Sequence, residues 1–206
     1  MRTYDLRPRS GAEAEARFAA ALGECADLPV LGGAFRTEIG PLNRLVHLSR
    51  WADAGERDRV LGAAAPAWPP EIGDLLVEER AEVYEPLSVS PALEPADVGP
   101  IFELRTYTCH PEPLERMIEV WEAALPGRLE YGPLVFAGWS RDGELRRFIH
   151  LWPYRSLDAR QRLRVEVREA GVWPPPLVAK KLGLPGFDLV RQENCLLVST
   201  SYSPIR

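Results

Sequence analysis

An internal repeat constrains the fold of this chain more than any other sequence feature. Tyr4 matches Tyr107, and other pairs follow at the same offset of 103 positions without a gap. Self-similarity at one long period, present in only two copies, indicates a duplicated domain and not a solenoid. The pairs at this offset are Arg2 with Arg105, Thr3 with Thr106, Pro8 with Pro111, Phe18 with Trp121, His47 with His150 and Leu48 with Leu151.

Composition narrows the class of protein. The 206 residues suit one medium-sized domain or two domains of about 100 residues each, with 46% hydrophobic and 27% charged residues. A net charge of −5 argues against nucleic acid or an anionic membrane as the main partner. Three separated cysteines suit a reducing cytoplasm, where disulfides are rare. No apolar run is long enough to cross a bilayer and the first residues are strand-like, so we expect a cytoplasmic protein without a signal peptide.

Each half predicts the element order βαββαβ, the ferredoxin-like motif. Aromatic and β-branched segments predict the strands, and apolar residues at helical spacing predict the helices. Asp53, with Glu56 three residues later, predicts a capping box at the start of the second helix. Between the halves, prolines in a segment without periodicity indicate an extended linker. We therefore predict a more divergent domain over residues 1–86, a linker over 87–100 and a second domain over 101–206. The predicted fold class is α+β, with two tandem ferredoxin-like domains packed sheet to sheet as a pseudo-dimeric barrel.

Alternation along the strands sorts side chains into two faces. Ile149 and Leu151 are aliphatic, and we expect them to face the helices. Their neighbours on the same strand are aromatic or polar, and we expect those to face the opposite, inner side of the sheet, where the aromatic and polar composition suits a ligand cavity. The residues expected on this inner face are Glu103, Arg105, Tyr107, Phe148, His150, Trp152 and Tyr154, with Arg2, Tyr4 and His47 as their counterparts in the first half.

Several motifs in the second half together resemble the NIPSNAP family. The resemblance covers nearly all of the second half, whereas the first half matches mainly through Arg2-Thr3-Tyr4 and His47-Leu48. It implies the dimeric α+β barrel fold, whose members include cofactor-free monooxygenases, cyclases, isomerases and haem enzymes. Such a range of activities implies no single reaction for this chain. The motifs are Phe102 to Thr108, Pro111, Trp121, Gly138-Trp139, His150 to Tyr154, Trp173 and Gln192-Glu193-Asn194.

The candidate catalytic residues are His150, Arg105 and Tyr107. An imidazole can act as a general acid or base near neutral pH, an arginine can anchor a carboxylate or phosphate, and a phenol can donate to an oxyanion. Each has a structural alternative: His150 can bond within the protein interior, Arg105 can pair with Glu103 or Glu193, and Tyr107 can simply fill the interior.

Candidate substrate-binding residues surround these three, although core packing explains the aromatic ones equally well. We expect the arginines from 155 to 168 to form a solvated helix face, and Cys109 and Cys195 to be small buried residues. The candidate substrate-binding residues are Glu103, Trp139, Phe148, Trp152, Tyr154, His47, Arg2 and Tyr4.

Two functions remain open on the sequence. The first is a cofactor-independent tailoring enzyme that acts on a small aromatic or polyketide-like molecule in bacterial secondary metabolism, by proton transfer, cyclisation, isomerisation or oxygenation. The second is a non-catalytic binding or interaction protein with a packed barrel. No metal-binding, phosphate-binding or nucleotide-binding motif is present, so we expect neither a metal nor a cofactor. A haem on His150 ranks lower, and a homodimer stays open.

Overall fold

The computed structural model describes residues 1–24, 30–64, 68–140 and 143–206, so Cys25 lies outside it. The described chain divides into two compact units. Unit 1 comprises Met1–Glu82, Leu93–Asp97 and Leu197–Arg206. Unit 2 comprises Val83–Ala92 and Val98–Leu196.

Unit 1 contains a four-stranded antiparallel sheet in the order β4-β1-β3-β2. The predicted capping box before its second helix is confirmed, since Oδ1 of Asp53 accepts from the backbone N–H of Glu56 at 2.7 Å. Its elements are β1 (Arg2–Leu6), α1 (Gly11–Glu24), β2 (Val30–Ile39), β3 (Arg44–Arg50), α2 (Ala54–Ala64) and β4 (Leu76–Ala81).

Unit 2 contains a sheet in the order β9-β6-β8-β7-β5, to which residues 191–196 of β9 belong. The antiparallel register of β6 and β8 sets Arg105 opposite His150 and Glu103 opposite Trp152. Ser156 caps the fourth helix by accepting from the backbone N–H of Ala159 at 3.0 Å. Its elements are β5 (Tyr84–Pro86), β6 (Ile101–Cys109), α3 (Pro111–Leu129), β7 (Phe136–Ser140), β8 (Arg146–Tyr154), α4 (Leu157–Glu169), α5 (Pro175–Leu182) and β9 (Arg191–Ser199).

Both units therefore have the ferredoxin-like order, in which the first and third strands of the motif lie side by side in the middle of the sheet. The predicted α+β class with two ferredoxin-like halves is confirmed. Within the described residues, no helix is long and apolar enough to span a membrane.

The predicted assignment of the two sheet faces is wrong. The ring of His150 lies 4.5 Å from that of Trp121, a residue of α3, so the histidine faces the helices of its own unit. Phe148, Trp152 and Tyr154 belong to the same buried cluster as Met117 and Trp121. Alternation separates the side chains into two sets, but it does not say which set the helices cover. Here the aromatic set packs on the buried apolar stripe of α3, whose one aromatic residue is Trp121.

Residues 83–92 pack with unit 2 although they follow the last strand of the first half. Residues 197–206, which include the end of β9, pack with unit 1 although they belong to the second half. The predicted boundaries at 86 and 100 concern the duplication and stay predictions. The proline-rich segment contributes strand β5, and the backbone N–H of Leu87 donates to the carbonyl of Ala137 at 2.9 Å.

Candidate functional site

His150 lies at the centre of the candidate site, on β8 beneath α3. It is 2% exposed, and its Nδ1 lies 2.7 Å from the indole Nε1 of Trp152. An indole N–H can only donate, so Nδ1 must accept and the proton of the neutral ring is on Nε2. That Nε2 has no hydrogen-bond partner among the described residues. Burial, and then the charge of Arg105, lower the pKa of His150 well below 6.5, so the ring is neutral at physiological pH.

A cavity of about 20 Å³ borders His150 within unit 2. This space accommodates one water molecule or one ligand oxygen, because a cavity needs roughly 10–15 Å³ to hold a water. Strands β6 and β8 form one wall, and helices α3 and α4 form the other. The lining residues are Glu103, Arg105, Arg128, His150, Trp152, Tyr154, Leu163, Arg164, Val167 and Trp173.

Glu103 is the carboxylate of this cavity and is 1% exposed. Its Oε1 accepts from Nε and Nη2 of Arg105 at 3.0 and 2.9 Å, and it also accepts from Nη2 of Arg160. The hydroxyl of Tyr154 lies 3.4 Å from Oε2. Burial alone would raise the pKa of Glu103, but the hydrogen bond from Arg160 and the charge of Arg105 outweigh burial and lower it. Glu103 is therefore an ion-pair partner and a poor base.

Two further arginines in the lining have no carboxylate in salt-bridge contact among the residues that the structure describes. Arg128 is 3% exposed, and its guanidinium lies 4.1 Å from the centroid of the Trp152 ring. Arg164 projects from α4 into the same lining. Burial lowers the pKa of both guanidinium groups, and the charge of Arg105 lowers that of Arg164 further.

These groups favour negative charge on a bound oxygen. Three guanidinium groups line the cavity against one carboxylate, which two arginines already engage. His150 adds a neutral N–H donor. Preorganised donors in a water-poor site stabilise a developing oxyanion, and their low mobility reduces the cost of reorganisation. The residues are thus arranged for charge stabilisation and not for proton abstraction.

The cavity at His150 does not leave room for a haem. The cavity is far smaller than a macrocycle, and the ring of Trp121 covers that of His150 at 4.5 Å. Among the described residues, no group of three or more His, Cys, Asp and Glu side chains could hold a metal ion.

Unit 1 has a counterpart of this site around His47, where Tyr202 and Phe18 contact the imidazole ring. Nε2 of His47 lies 2.9 Å from the hydroxyl of Tyr202, and the ring packs against Phe18 at 4.6 Å. Burial, and then the charge of Arg2, lower the pKa of His47 to about 3. Tyr4 is fully buried in the same cluster, and burial raises its pKa far above the usual value.

The structure brings together five of the predicted site residues and separates the others. Tyr107 is partly buried with its ring 5.1 Å from His150, but it does not line the cavity. Phe148 and Trp139 pack in the core of unit 2. Arg2 pairs with Glu79 at 2.5 Å in unit 1. The five that meet at the cavity are Glu103, Arg105, His150, Trp152 and Tyr154.

The sequence-based prediction did not include Arg128 among the site residues, and it assigned every arginine of α4 to a solvated face. Arg128 stands three and seven positions after Leu125 and Trp121, so a charge on the buried stripe of α3 was the available signal. The expectation of a wholly solvated arginine face on α4 is wrong for Arg160, which pairs with the buried Glu103. Arg164, one turn further on, is exposed and also lines the cavity. Leu163 and Val167 line the cavity as well. Arg162 lies on the exposed side, as expected.

Comparison with solved structures supports the fold of the whole chain. A "putative monooxygenase" from Lactobacillus acidophilus matches with a TM-score of 0.66 and 10% identity, over 98% of this chain and 95% of that one. An "anthrone oxidase-like protein" matches with a TM-score of 0.53 and 10% identity, over 98% and 91%. At these identities, the matches establish a shared fold and nothing more.

Comparison of sequences identifies the family. "Protein NipSnap homolog 1" of Danio rerio is 26% identical over 180 residues, which cover 84% of this chain and 63% of that relative. The chain thus spans less than two thirds of that relative's length. The sequence model of the NIPSNAP family matches residues 1–91 and again residues 102–204. Both halves carry the family domain, and the chain belongs to the NIPSNAP family.

Proposed function

We propose that this protein is a cofactor-independent enzyme acting on a small aromatic molecule, and that the cavity of unit 2 stabilises negative charge on an oxygen of that molecule. One observation carries the proposal. Arg105, Arg128 and Arg164 line a cavity whose one carboxylate, among the described lining residues, is Glu103. Arg128 is buried, Arg105 is partly buried and Arg164 is exposed, so the cost of this excess charge falls mainly on Arg128, because a buried charge is costly unless an anion offsets it.

His150 would act as an electrophilic donor in this proposal. Its Nε2–H is buried and has no partner among the described residues, while its Nδ1 already accepts from Trp152. A neutral imidazole donates a hydrogen bond to a forming oxyanion, and it keeps this role because its lowered pKa prevents protonation. The residue first considered as a general acid or base is thus proposed as a stabiliser.

The names of two proteins with this fold suggest a reaction class, oxidation of an enolisable aromatic by molecular oxygen. For anthrone, loss of a proton from the methylene carbon gives an enolate whose oxygen the cavity would bind. The enolate then reacts with O₂: one oxygen atom becomes the new carbonyl, and the other leaves as water. Anthrone and O₂ thus give anthraquinone and water. Solvent water would accept the first proton, since Glu103 is held by two arginines.

The size of the cavity limits how such a substrate binds. A space of about 20 Å³ takes the oxygen and not the rings, so the rings require displacement of lining side chains. Leu163 and Val167 on α4 are the apolar members of the lining and would contact the rings.

The test is oxygen consumption by the purified protein with anthrone, followed together with anthraquinone absorbance. His150→Ala and Arg105→Ala should reduce the rate at least about a hundredfold, the usual loss when an oxyanion donor is removed. Arg162→Gln is the matched control, because Arg162 carries the same charge on the exposed side of α4. Normal turnover by correctly folded His150→Ala and Arg105→Ala proteins would contradict the site assignment.

A non-catalytic binding protein with a packed interior is the second candidate. The small cavity and the double ion pair of Glu103 with Arg105 and Arg160 favour it. Under this alternative, the two alanine variants lower thermal stability, and anthrone is oxidised no faster than in buffer. A homodimer is a separate proposal, which native mass spectrometry tests.

A further inference from the structure

Each unit is completed by a short Ser-X-Ser-Pro segment. In unit 2 the segment is residues 88–91, and in unit 1 it is residues 201–204. We call these the SxSP segments. They differ at their second position, which is Val89 in one and Tyr202 in the other.

The two SxSP segments bind equivalent strands in the same way. Oγ of Ser90 accepts from the backbone N–H of Ala137 at 3.0 Å, and Oγ of Ser203 accepts from that of Ala34 at 3.0 Å. Ala34 and Ala137 are equivalent in the repeat, because their numbers differ by 103. The residue before each segment also matches: Leu87 and Thr200 donate to the carbonyls of Ala137 and Ala34 at 2.9 and 3.0 Å. Val89 and Tyr202 therefore occupy equivalent backbone positions.

The aromatic rings around the two histidines are similarly spaced, although Nδ1 of His150 accepts from Trp152 and Nδ1 of His47 has no partner among the described residues. The rings of His47 and Tyr4 are 5.1 Å apart, and those of His150 and Tyr107 are also 5.1 Å apart. The aromatic residue of the first helix in each unit lies against the histidine ring, with ring centroids 4.6 Å apart for Phe18 in unit 1 and 4.5 Å apart for Trp121 in unit 2.

The two sites differ in what meets Nε2 of the histidine. In unit 1 the hydroxyl of Tyr202 lies 2.9 Å from Nε2 of His47. Val89 has no hydroxyl, and Nε2 of His150 has no partner among the described residues. The indole Nε1 of Trp121, next to His150, is also a buried donor without a partner there. Unit 2 therefore has unpaired buried donors where unit 1 has the phenol of Tyr202.

From this difference we infer that Tyr202 is a built-in occupant of the unit 1 site, and that the unit 2 site binds the phenolic or enolic oxygen of an aromatic ligand in the corresponding place. The inference rests on the proposed function and deepens it, because it names the ligand class and the residue that decides which unit is open. Under this inference, tyrosine at the second position of the SxSP segment occupies the histidine Nε2, and valine leaves Nε2 available to a ligand.

The test uses 4-fluorophenol as the probe and fluorine NMR titration as the measurement. We expect one saturable site per chain in the natural protein. Val89→Tyr should abolish that site, and Tyr202→Val should add a second. 4-Fluorotoluene, which has the same ring without the hydroxyl, should bind at least about tenfold more weakly, since a hydrogen bond to a buried donor is lost. Failure of the folded natural protein to bind 4-fluorophenol saturably would overturn the inference.

A second pair of variants separates the effect of the tyrosine hydroxyl from the effect of the ring volume. This test does not depend on correct folding of the Tyr202→Val protein. Val89→Tyr should shift the Nε2–H proton resonance of His150, whereas Val89→Phe should fill space without that shift. Equal effects of the two variants would overturn the role of the hydroxyl.

The experiments also separate this inference from the proposed function. Binding of 4-fluorophenol without anthrone oxidation would support the ligand class and contradict the enzyme. Anthrone oxidation that depends on His150, without 4-fluorophenol binding, would support the enzyme and contradict the ligand class.

Discussion

The indole N–H of Trp152 holds the neutral ring of His150 in one tautomer, because its Nε1 lies 2.7 Å from Nδ1 of that ring. Trp152→Phe removes this donor and keeps an aromatic face for Arg128. We expect nitrogen NMR to show one tautomer, protonated at Nε2, in the natural protein and a mixture in the variant. The free energy of unfolding should fall by about 1 kcal/mol. An unchanged single tautomer in the variant would show that another group sets the proton position.

Glu103→Gln should be among the most destabilising single changes in unit 2. It leaves Arg105 and Arg160 without their shared carboxylate, and breaking a buried ion pair costs about 3 kcal/mol. The measurement is chemical denaturation. Glu193→Gln is the control, since Glu193 is exposed on β9, and it should change the free energy of unfolding by less than about 0.5 kcal/mol.

The lowered pKa of Glu103 predicts that the protein loses stability in acid. The folded pKa lies below the ordinary value of 4.5, so the unfolded chain binds a proton at a pH where the folded chain does not. The stabilisation is complete above pH 4.5 and is lost as the pH falls through the folded pKa. Denaturation curves of Glu103→Gln below that pH should lack this component. If the free energy of unfolding depended on pH in the same way in the natural protein and in Glu103→Gln, the predicted contribution of Glu103 would be contradicted.

The two buried histidines should destabilise the fold at a higher pH than Glu103 does. The ordinary pKa is 6.5, whereas that of folded His47 is about 3 and that of His150 is also lowered. Below pH 6.5 the unfolded chain gains protons that the folded chain does not bind, so acid favours unfolding. Between about pH 7 and about pH 5, the free energy of unfolding should fall as the pH falls. Once the unfolded form is protonated, each histidine should contribute about 1.4 kcal/mol per pH unit to this fall.

His47→Gln and His150→Gln should each remove one share of that slope, and the double variant should remove both. The slope of the free energy of unfolding against pH is the quantity to compare, because it does not depend on how much each variant destabilises the fold at neutral pH. A slope that neither variant changes would mean that the rings become protonated in the folded state.

Arg128→Met tests whether the buried charge of Arg128 serves substrate binding although it lowers the stability of the fold. Arg128 is 3% exposed, and no carboxylate forms a salt bridge with it among the described residues. Replacement of a buried charge by an apolar side chain of similar length is often neutral or stabilising. We expect a melting temperature that is unchanged or higher by about 3 °C, together with at least a tenfold loss, on the order of 1.4 kcal/mol, in anthrone oxidation. Arg128→Lys keeps the charge as a control, and full activity of Arg128→Met would contradict the role of this arginine.

The strand and helix order was predictable because its signals are local. The offset between Tyr4 and Tyr107 revealed the duplication, and the capping box at Asp53 and Glu56 marked the start of α2. These signals depend on neighbours in sequence, and the structure agrees with them.

The position of the site was not predictable from alternation, because both sets of side chains on β8 are apolar enough to be buried. Ile149 and Phe148 are equally inaccessible, at 1% and 0% exposure. The choice between faces depended on the packing of Phe148 against Trp121 of α3, a contact between elements that are distant in sequence. The inward arginines were missed for a related reason, since a charge on a helix is usually solvated.

The two SxSP segments limit how this chain can be divided. A fragment that ends at residue 86 contains Ala34 but not Ser203, and a fragment that begins at residue 101 contains Ala137 but not Ser90. Each half on its own would therefore expose a strand whose backbone groups are satisfied by residues encoded with the other half. The two halves are copies of one another in sequence, but neither half contains all of the residues that complete its own unit.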